Sequence, residues 1–428
     1  MLKDILGKIY NKIYYIWNYK KYEKFPFLSR EEIKKIQLEK LKKILYIAVT
    51  TVPFYKRLNI KINWDNFTLD ELKKFPIIDK EIIIHNFEDF ISSKCKFFGK
   101  LSSTSGSTGN PFKFYIPYNS EAIETFIMHR AWRMGKDYKY TPGDPVVVLR
   151  SYSPKENEPI YKIDKRKNYW YLSPFHINEK NLDIYLDIIY KSKAKILRGY
   201  PSSIYIFTLL LMKKNIKIPQ IKLIVTSSET LLPHYRETIE NYWGIPVLDW
   251  YGQNERTVIV SQCWAGNYHN HDDYGILELN ENNEIIATSL NNYVMPFIRY
   301  NTKDIAIPLD SPVKTCKCGM NLSVPFKAIQ GRTDDLLIKD DGTYVPTVNI
   351  YTMMYKIKGI KNFQIIQKKD KSLLVKLVAD NNFNANAENI LKKELKDRLG
   401  NLKIDIKLVD EIERNKKTGK IRTIIRER

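Results

Sequence analysis

The stretch KILRGYPSSIYIFTLLLMKKNIKIPQIKLIVTSS, residues 195–228, decides the fold class. Its middle part, SSIYIFTLLLMKKN, has the length and the apolar content of a buried helix. The short apolar runs KILRGY and IKLIVTSS on either side are typical of buried strands. Since a strand, a helix and a second strand in succession form a parallel crossover, we expect a parallel sheet covered by helices.

The same alternation continues on both sides of this stretch. Strands are predicted at PVVVLR (residues 145–150) and PVLDWYG (246–252), and helices at EKNLDIYLDIIYKSKA (179–194) and LLPHYRETIENYWG (231–244). Short strands and turns between residues 276 and 308 predict an antiparallel subdomain. A hairpin, a helix and a strand are predicted after the GRTDD sequence, which favours a final α+β unit.

We therefore predict an α/β chain with two domains. Residues 1–331 form a large N-terminal domain with parallel, helix-covered sheets. It includes a helical region at residues 1–60 and a β-rich subdomain at about 260–331. Residues 332–428 form a small, mobile α+β C-terminal domain.

Composition narrows the class of protein. The chain has 428 residues, 43% of them hydrophobic, and a formal net charge of +22. Such a charge favours anionic partners, although a genome biased toward lysine codons would produce the same charge. No apolar run approaches the roughly 18 residues of a membrane span, and no secretory signal is evident. Four cysteines do not make a disulfide framework, so we expect a cytoplasmic protein.

The first 25 residues, MLKDILGKIYNKIYYIWNYKKYEKF, predict a basic amphipathic helix. Apolar residues recur at helical spacing between lysines, namely Leu2, Ile5, Leu6, Ile9, Ile13 and Trp17. This stripe either packs on the main domain or lies on the inner face of the membrane. Both alternatives remain open at this point.

The segment STSGSTGNP, residues 103–111, is rich in glycine and small hydroxyl side chains. Such residues let backbone N–H groups converge on a phosphate, and the hydroxyls add donors. The spacing differs from that of a nucleotide-triphosphatase P-loop, because no Gly-Lys-Ser/Thr follows. A phosphate cradle and a solvated Ser/Gly turn are both compatible with this segment alone.

Five stretches in order resemble the motifs of adenylate-forming enzymes, the superfamily of the acyl-CoA synthetases. They are STSGSTGNP, WYGQNE (residues 250–255), RYNTKD (299–304), GRTDDLLI (331–338) and NKKTGKIRTII (415–425). Within that superfamily the chain is most similar to phenylacetate-CoA ligases and to capsule-biosynthesis proteins of the CapK type. The stretches that carry this similarity are LRGYPSSIYIF, TSSETLLPHYRE, YHNHDDYGILEL and TSLNNYVMPFIRYNTKDIA.

The resemblance implies attack of a carboxylate on the α-phosphorus of ATP, with release of pyrophosphate. The Ser/Thr/Gly segment would hold the β- and γ-phosphates, Glu255 would hold Mg²⁺, and Asp304 would accept hydrogen bonds from the ribose. Lys303 stands where the superfamily usually has glycine. The nucleotide-binding residues implied in this way are Ser103, Thr104, Ser105, Gly106, Ser107, Thr108, Gly109, Ser228, Glu229, Asp249, Tyr251, Gly252, Asp304 and Arg332.

The resemblance also assigns a catalytic lysine to the end of the chain. Lys420 would bring its cation to the carboxylate and the α-phosphate, together with Glu255 as the second catalytic residue. In the family the C-terminal domain then rotates about a hinge aspartate, here Asp334, before the thioester forms.

The cysteines predict a metal site. Cys263, Cys316 and Cys318, together with His269, make a Cys₃His set that suits tetrahedral zinc, and His271 competes with His269 as the fourth ligand. Since four protein ligands leave no position for water, we expect structural zinc. A similar set of cysteines and histidine occurs in some relatives of phenylacetate-CoA ligase.

The acid pocket is expected around three residues, His176, Arg198 and Tyr200. Arg198 and His176 either recognise a polar or anionic acid or serve as structural hydrogen-bonding groups. The function expected first is an ATP-dependent ligase that transfers the acyl group to CoA. The alternatives are transfer to an amine or hydroxyl of a capsular or cell-surface sugar precursor or to a carrier protein, and a non-catalytic basic surface binder. Nucleic acid is not an expected partner.

Overall fold

The structure is a computed structural model. It describes residues 2–104, 112–155, 157–332, 337–341, 344–345, 350, 353–354, 356–415 and 421–427. Two compact units are present. Unit 1 comprises residues 1–142, 248–302 and 306–328, and unit 2 comprises 143–247, 303–305 and 329–428. The boundary predicted between residues 331 and 332 stays a prediction, since this division groups the C-terminal segment with residues 143–247.

Helices and strands alternate along most of the chain. The α-helices are α1 (Leu2–Lys24), α2 (Arg30–Thr51), α3 (Pro53–Arg57), α4 (Lys80–His85), α5 (Ser120–Trp132), α6 (Leu182–Ser192), α7 (Pro201–Lys213), α8 (Pro233–Trp243) and α9 (Ala385–Leu399). The strands of the first half are β1 (Gly99–Ser103), β2 (Lys113–Pro117), β3 (Val146–Leu149), β4 (Tyr161–Asp164), β5 (Tyr169–Leu172), β6 (Ile196–Gly199) and β7 (Leu223–Ser227).

The strands of the second half pair more often in the antiparallel direction. They are β8 (Val247–Gly252), β9 (Ile259–Gln262), β10 (Tyr268–Asn270), β11 (Gly275–Leu279), β12 (Glu284–Ser289), β13 (Tyr300–Ile307), β14 (Ala328–Arg332), β15 (Leu337–Ile338), β16 (Tyr344–Val345), β17 (Ile360–Gln367), β18 (Leu373–Ala379), β19 (Ile404–Leu408) and β20 (Ile424–Arg426). In the part of the chain that the structure describes, no helix combines the length and apolar content needed to cross a bilayer.

Unit 1 contains the N-terminal helices and short antiparallel sheets. The Ser29 side chain and Glu32 form a reciprocal capping box at the start of α2, which satisfies backbone donors that the helix leaves open. Strands β1 and β2 form an antiparallel pair, as do β8 with β9, β9 with β10 and β11 with β12. The β11–β12 pair confirms the antiparallel character predicted between residues 276 and 308.

The N-terminal helix α1 packs on α5 through its aromatic side chains. The Tyr15 ring stacks on the Phe126 ring with centroids 4.8 Å apart, and the Tyr22 ring does so at 4.6 Å. In contrast, Ile13 and Trp17 of the predicted apolar stripe are exposed. Of the two alternatives left open for this stripe, packing on the domain does not hold for these two residues, because the tyrosines supply the buried face instead.

The parallel sheet predicted from residues 195–228 lies in unit 2. The sheet has eight strands, and the five in unit 2 have the order β4-β5-β3-β6-β7. The β3–β5, β3–β6 and β6–β7 pairs are parallel. Gly199 ends β6 where the chain approaches its neighbours closely, since an added Cβ would lie 2.8 Å from Ile204 and 3.1 Å from the Leu149 carbonyl oxygen. The carboxyl ends of β3, β6 and β7 therefore lie side by side at one edge of the sheet.

The C-terminal segment of unit 2 is the predicted α+β structure. Strands β17 and β18 form the expected hairpin, and β19 and β20 pair in parallel with β18 and β17. Helix α9 buries Leu391 and Leu395 completely, and each such leucine contributes about 2 kcal/mol by leaving water. The helix, the hairpin and the last strands thus form a packed layer structure.

Candidate functional site

A cluster of polar side chains occupies the carboxyl edge of the parallel sheet in unit 2. Arg150 follows β3 directly, and its guanidinium donates a hydrogen bond to the Ser227 hydroxyl at the end of β7. The same guanidinium lies over the Tyr200 ring, 5.1 Å from the centroid, and the Tyr200 hydroxyl is 3.0 Å from Ser151 Oγ. In doubly wound sheets this edge is where ligands bind, so these residues form a candidate substrate site.

A second arginine lies at the same edge. Arg198, on β6, repels the Arg150 cation, and burial together with this repulsion lowers the pKa of Arg150 to about 10. The Tyr169 hydroxyl on β5 is hydrogen-bonded with Arg198. The structure thus brings predicted Arg198 and Tyr200 together with Arg150, which the sequence reasoning missed.

The carboxylate of Glu229 is held from two sides. One oxygen accepts a hydrogen bond from the Ser202 N–H at the start of α7, at 3.1 Å, and the other accepts one from the Ile421 N–H at 2.8 Å. Arg414 donates to the Ser202 and Ser203 hydroxyls, and its positive charge acts on Glu229 to lower the pKa of the carboxyl. Burial nevertheless raises the pKa of Glu229. The predicted residue Glu229 therefore joins the end of the chain to the sheet edge.

His176 lies in a turn after β5. Its Nδ1 is 2.9 Å from the Ser173 hydroxyl, and its carbonyl oxygen accepts a hydrogen bond from the Asn181 side chain at 3.0 Å. These contacts fix the turn that leads into α6. Of the two roles left open for His176, they support the structural one.

In unit 1 the structure brings together two of the sequence motifs. The Tyr300 hydroxyl donates to the Glu255 carboxylate at 3.3 Å, and the Tyr251 and Thr302 hydroxyls are 3.4 Å apart. Gln253 also donates to the Tyr251 hydroxyl, at 2.6 Å. The WYGQNE and RYNTKD sequences, nearly fifty residues apart, are thus neighbours through two pairs of polar side chains.

Asp249 precedes these residues on β8 and is buried. Its carboxylate accepts a hydrogen bond from the Tyr268 hydroxyl on β10 at 2.8 Å. This bond holds the aspartate side chain against the antiparallel sheet of unit 1. Gly252, at the end of the same strand, is exposed.

Two predicted site regions have left-handed backbone. Ser228 has a φ of 73° and Lys303 a φ of 60°. For a residue with a side chain this conformation costs about 1–2 kcal/mol, and such residues concentrate at functional sites. The unusual Lys303 therefore occupies a position that glycine would adopt without strain, and it precedes the half-buried Asp304.

The base of the Ser/Thr/Gly loop is closed by two hydrogen bonds. The Thr104 N–H donates to the Phe112 carbonyl at 2.9 Å, and the Phe112 N–H donates to the Thr104 hydroxyl at 3.3 Å. Ser103, at the end of β1, is exposed. Several predicted site residues lie outside the described residues, namely Ser105, Gly106, Ser107, Thr108, Gly109, Asp334 and Lys420, as does the side chain of Arg332.

The predicted metal ligands of unit 1 form a compact cluster. The ligand atoms of Cys263, His269, Cys316 and Cys318 all lie within 4.8 Å of one another. The Sγ atoms of Cys263 and Cys316 are 3.6 Å apart, close to the spacing of about 3.8 Å that two Zn–S bonds at a tetrahedral angle produce. The cluster therefore fits a zinc ion.

Neighbouring groups prepare this cluster for a cation. The hydrogen bond with Cys318 lowers the pKa of Cys263 to about 4, which favours the thiolate, and it raises the pKa of Cys318. The other ring nitrogen of His269 faces the Leu322 carbonyl at 3.5 Å, an arrangement that orients metal-binding histidines.

His271 does not belong to the cluster. Its Nδ1 accepts hydrogen bonds from the Arg130 guanidinium at 2.7 and 2.9 Å, and its Nε2 is 2.8 Å from the Ser261 hydroxyl. Arg130 in turn forms a buried ion pair with Asp273 at 2.5 Å. Of the two candidate histidines, His269 is thus the one beside the cysteines.

The sequence reasoning missed Arg150, Arg414 and the two tyrosines that hold acids, Tyr268 and Tyr300. A signal was present for Arg150, because a charged residue that directly follows a buried strand of a parallel sheet lies at the ligand-binding edge. No local pattern identifies Arg414, which acts on Ser202 and Ser203 more than two hundred residues earlier.

The chain is similar to known proteins over most of its length. Residues 337–427 match the family model described as the CapK C-terminal domain. The chain is 24% identical over 418 residues to the protein CapK of Staphylococcus aureus, covering 94% of this chain and 90% of that protein. It is 22% identical over 347 residues to the phenylacetate-coenzyme A ligase of Escherichia coli (strain K12), covering 72% and 73%.

Solved structures give the same result for the fold. The crystal structure of a 2-hydroxyisobutyryl-CoA ligase in the postadenylation state, in complex with R3-HIB-AMP, is similar with a TM-score of 0.71 and 17% identity. The similarity covers 95% of this chain and 92% of the ligase. The resemblance to adenylate-forming CoA ligases and to CapK is therefore confirmed, and the α/β fold expected from it is confirmed as well.

Proposed function

We propose that this chain, which has the fold of the adenylate-forming CoA ligases and ends in a CapK C-terminal domain, activates a carboxylic acid with ATP. In the first step the carboxylate attacks the α-phosphorus, an acyl-adenylate forms, and pyrophosphate leaves. In the second step a thiol, CoA in the leading hypothesis, attacks the acyl carbon and AMP leaves. The observation that carries the proposal is the convergence of Glu255 with Tyr300 and of Tyr251 with Thr302.

Charge accumulates on phosphoryl oxygens in such a reaction, so the protein acts mainly by positioning groups and by stabilising charge. In the proposed site Glu255 would hold Mg²⁺, and Asp304 and Arg332 would bind the ribose. The residues that would border the nucleotide are Ser228, Glu229, Asp249, Tyr251 and Gly252. The Ser103–Gly109 loop holds the terminal phosphates, and Lys420 stabilises the α-phosphate. The domain turns about Asp334 between the two steps.

Structural zinc is part of the proposal. The Cys₃His cluster would hold the ion with four protein ligands and would fix the loop of Cys316 and Cys318 to the antiparallel strands. The ion would stabilise the fold of unit 1 without taking part in the transfer.

The acceptor has one serious alternative. The second candidate is transfer to an amine or hydroxyl of a capsular or cell-surface sugar precursor, or to a carrier protein, as the resemblance to capsule-biosynthesis proteins of the CapK type implies. A non-catalytic surface binder is the third hypothesis, and the paired acidic and hydroxyl groups of the two motifs argue against it.

An acid-dependent ATP–pyrophosphate exchange screen tests the first step. We expect label to enter ATP only when a suitable acid is present. Acyl transfer is then followed with CoA and, separately, with amino sugars. Exchange without thioester formation would favour the second acceptor class, and no exchange with any acid would contradict the proposed activity.

A further inference from the structure

Two arginines lie at the carboxyl edge of the parallel sheet, where the sequence predicts the acid pocket. Arg150 follows β3 and Arg198 lies on β6, the strand next to it. Around them are hydroxyl groups of Tyr200, Ser151 and Ser227. Such an edge suits a charged or hydroxylated ligand far better than an apolar ring.

Arg150 and Arg198 are close enough for their cations to repel each other, and Arg150 is partly withdrawn from water. The Glu229 carboxylate acts on Arg150 and on Arg414, so it is shared between two guanidinium groups. Keeping two arginines close together in a partly buried edge is costly unless an anion lies between them. Arg guanidinium is also the side chain best suited to a second carboxylate or a phosphate, which it binds with two parallel hydrogen bonds.

We propose that the acid activated by this chain carries a second anionic group and that Arg150 and Arg198 bind it. This inference rests on the proposed function. The substrate class is a dicarboxylate or a phosphorylated acid. Tyr200 supports the Arg150 guanidinium through its ring, and Ser227 orients it through a hydrogen bond.

The test compares pairs of acids in pyrophosphate exchange, with succinate and phosphoglycerate against butyrate and phenylacetate. We expect the wild type to prefer the dianionic acids. Arg150→Met should lower kcat/KM for them roughly 30-fold or more, the scale for truncating one partner of a desolvated charge pair, while Arg150→Lys retains part of the activity. Arg166→Met, an exposed arginine of the same unit, is the matched control and should change nothing.

The outcomes separate the two proposals. Absence of exchange with every acid contradicts the proposed function itself. Exchange that is fastest with butyrate or phenylacetate, and insensitive to Arg150→Met, contradicts only the anionic substrate class. A higher KM for ATP with an unchanged KM for the acid would assign Arg150 to the triphosphate and would overturn the inference.

A second, independent observation concerns α1, whose two faces differ. The face toward α5 is closely packed: an added Cβ on Gly7 would lie 2.4 Å from the Tyr118 ring, and Asn11 accepts a hydrogen bond from the Ala122 N–H at 2.9 Å. Tyr15 and Tyr22 complete this face by stacking on Phe126. The helix is therefore fixed to unit 1 by one side.

The opposite face exposes large apolar side chains. Ile9, Ile13, Ile16 and Trp17 follow one another at positions i, i+4, i+7 and i+8, so they share one side of the helix. Trp17 is 83% exposed and Ile16 is 63% exposed. Adjacent exposed apolar side chains of this kind mark an interaction surface, and the packing of α1 on α5 leaves this side of the helix uncovered.

The charges around this face identify the partner. The α1 sequence contains six lysines and two acidic residues, and Lys12, Lys20, Lys21 and Lys24 are exposed. Apolar side chains with tryptophan, bordered by lysines, are typical of helices that lie in the plane of a membrane surface. Each lysine near an anionic bilayer adds to the attraction.

We infer that the Ile9–Trp17 face of α1 docks on an anionic lipid surface. The tyrosine face keeps the helix on unit 1, while the isoleucines and Trp17 enter the boundary between headgroups and acyl chains. The lysines lie at the level of the anionic headgroups. The binding is reversible and salt-dependent, since it combines a small apolar area with surface charge.

Co-sedimentation with vesicles tests this inference on the full chain. We expect binding to vesicles of phosphatidylglycerol and phosphatidylcholine, weaker binding to phosphatidylcholine alone, and loss of binding in high salt. The double variant Ile13→Glu with Trp17→Glu should lower the partition coefficient roughly tenfold or more. Ile184→Glu with Ile390→Glu, two exposed isoleucines on α6 and α9, is the matched control and should bind like the wild type.

Three results would overturn the inference. They are absence of binding to anionic vesicles, equal binding of both double variants, and a wild-type dimer in analytical ultracentrifugation that becomes a monomer with Ile13→Glu and Trp17→Glu. The last result would assign the face to a second copy of the chain. Unchanged melting temperatures of both double variants would show that the substitutions act on the surface alone.

Discussion

The backbone N–H of Ile421 donates a hydrogen bond of 2.8 Å to the carboxylate of Glu229. Ile421 directly follows the lysine that the C-terminal motif identifies as catalytic, and Glu229 belongs to the TSSET sequence after β7. The same carboxylate accepts a hydrogen bond from the Ser202 N–H at the start of α7, so Glu229 links the start of that helix to the last motif of the chain.

Glu229→Ala should destabilise unit 2. The substitution leaves the Ser202 and Ile421 N–H groups without their acceptor and removes the charge that faces Arg414, so we expect a loss of about 2–4 kcal/mol in the free energy of unfolding. Urea unfolding measures it. The exposed Glu237 provides the control, because Glu237→Ala should change the free energy by less than about 0.5 kcal/mol. Equal effects of the two substitutions would contradict this account.

Lys303→Gly should stabilise the protein. Lys303 has a φ of 60°, and glycine adopts this backbone conformation without the cost borne by a residue with a Cβ. We expect a gain of about 1 kcal/mol in the free energy of unfolding. Lys407→Gly, in the exposed part of β19, should instead lower the free energy of unfolding by about 0.5–1 kcal/mol. A loss of stability in Lys303→Gly would show that its side chain contributes more than the strain costs.

The Cys₃His cluster predicts one zinc ion per chain. Elemental analysis of the purified protein should find it, and Cys316→Ser should lose it together with several degrees of melting temperature, because metal binding contributes to folding. Cys95→Ser is the control and should retain the metal, since Cys95 lies outside the cluster. Wild-type protein with no zinc above background would refute the site.

His234 predicts a loss of stability at acidic pH. Burial between Tyr205 and Tyr235 lowers the pKa of His234 to about 3, so the unfolded chain binds a proton there at a higher pH than the folded chain does. The stability that comes from neutral His234 is complete above pH about 6.5 and declines as the pH falls toward 3. His234→Leu should flatten this part of the pH–stability curve, as thermal unfolding at a series of pH values would reveal. An identical slope in the variant would exclude this histidine as the cause.

Most of the fold follows from periodicity in the sequence. The runs of buried residues at 146–149, 196–199 and 223–227 are separated by helices of suitable length, and each becomes a strand of the parallel sheet. The antiparallel pairs after residue 260 are equally visible, because short runs alternate with turn residues. Local patterns are enough to predict these helices and strands, because the apolar residues of each element are the ones that it buries.

The predictions fail where the position of a side chain depends on a residue far away in the sequence. The apolar stripe of α1 would identify the buried side of the helix if its aliphatic residues were the buried ones. The buried side carries Tyr15 and Tyr22 instead, because these rings stack on the ring of Phe126. His269 and His271 have the same local pattern, and only Arg130, more than a hundred residues earlier, distinguishes them by binding His271. Arg150 was missed although it directly follows a buried strand, because only the order of the strands in the sheet shows that it lies beside Arg198 and Tyr200.

The most direct test of carboxylate activation is pyrophosphate exchange with Lys420→Ala, performed with an acid that supports exchange in the wild type. Lys417→Ala, three positions earlier, is the control for loss of charge in the same stretch. We predict that Lys420→Ala lowers the exchange rate by roughly two to three orders of magnitude while Lys417→Ala stays close to the wild type. An exchange rate in Lys420→Ala equal to that of the wild type would contradict the proposal that this lysine stabilises the adenylation transition state.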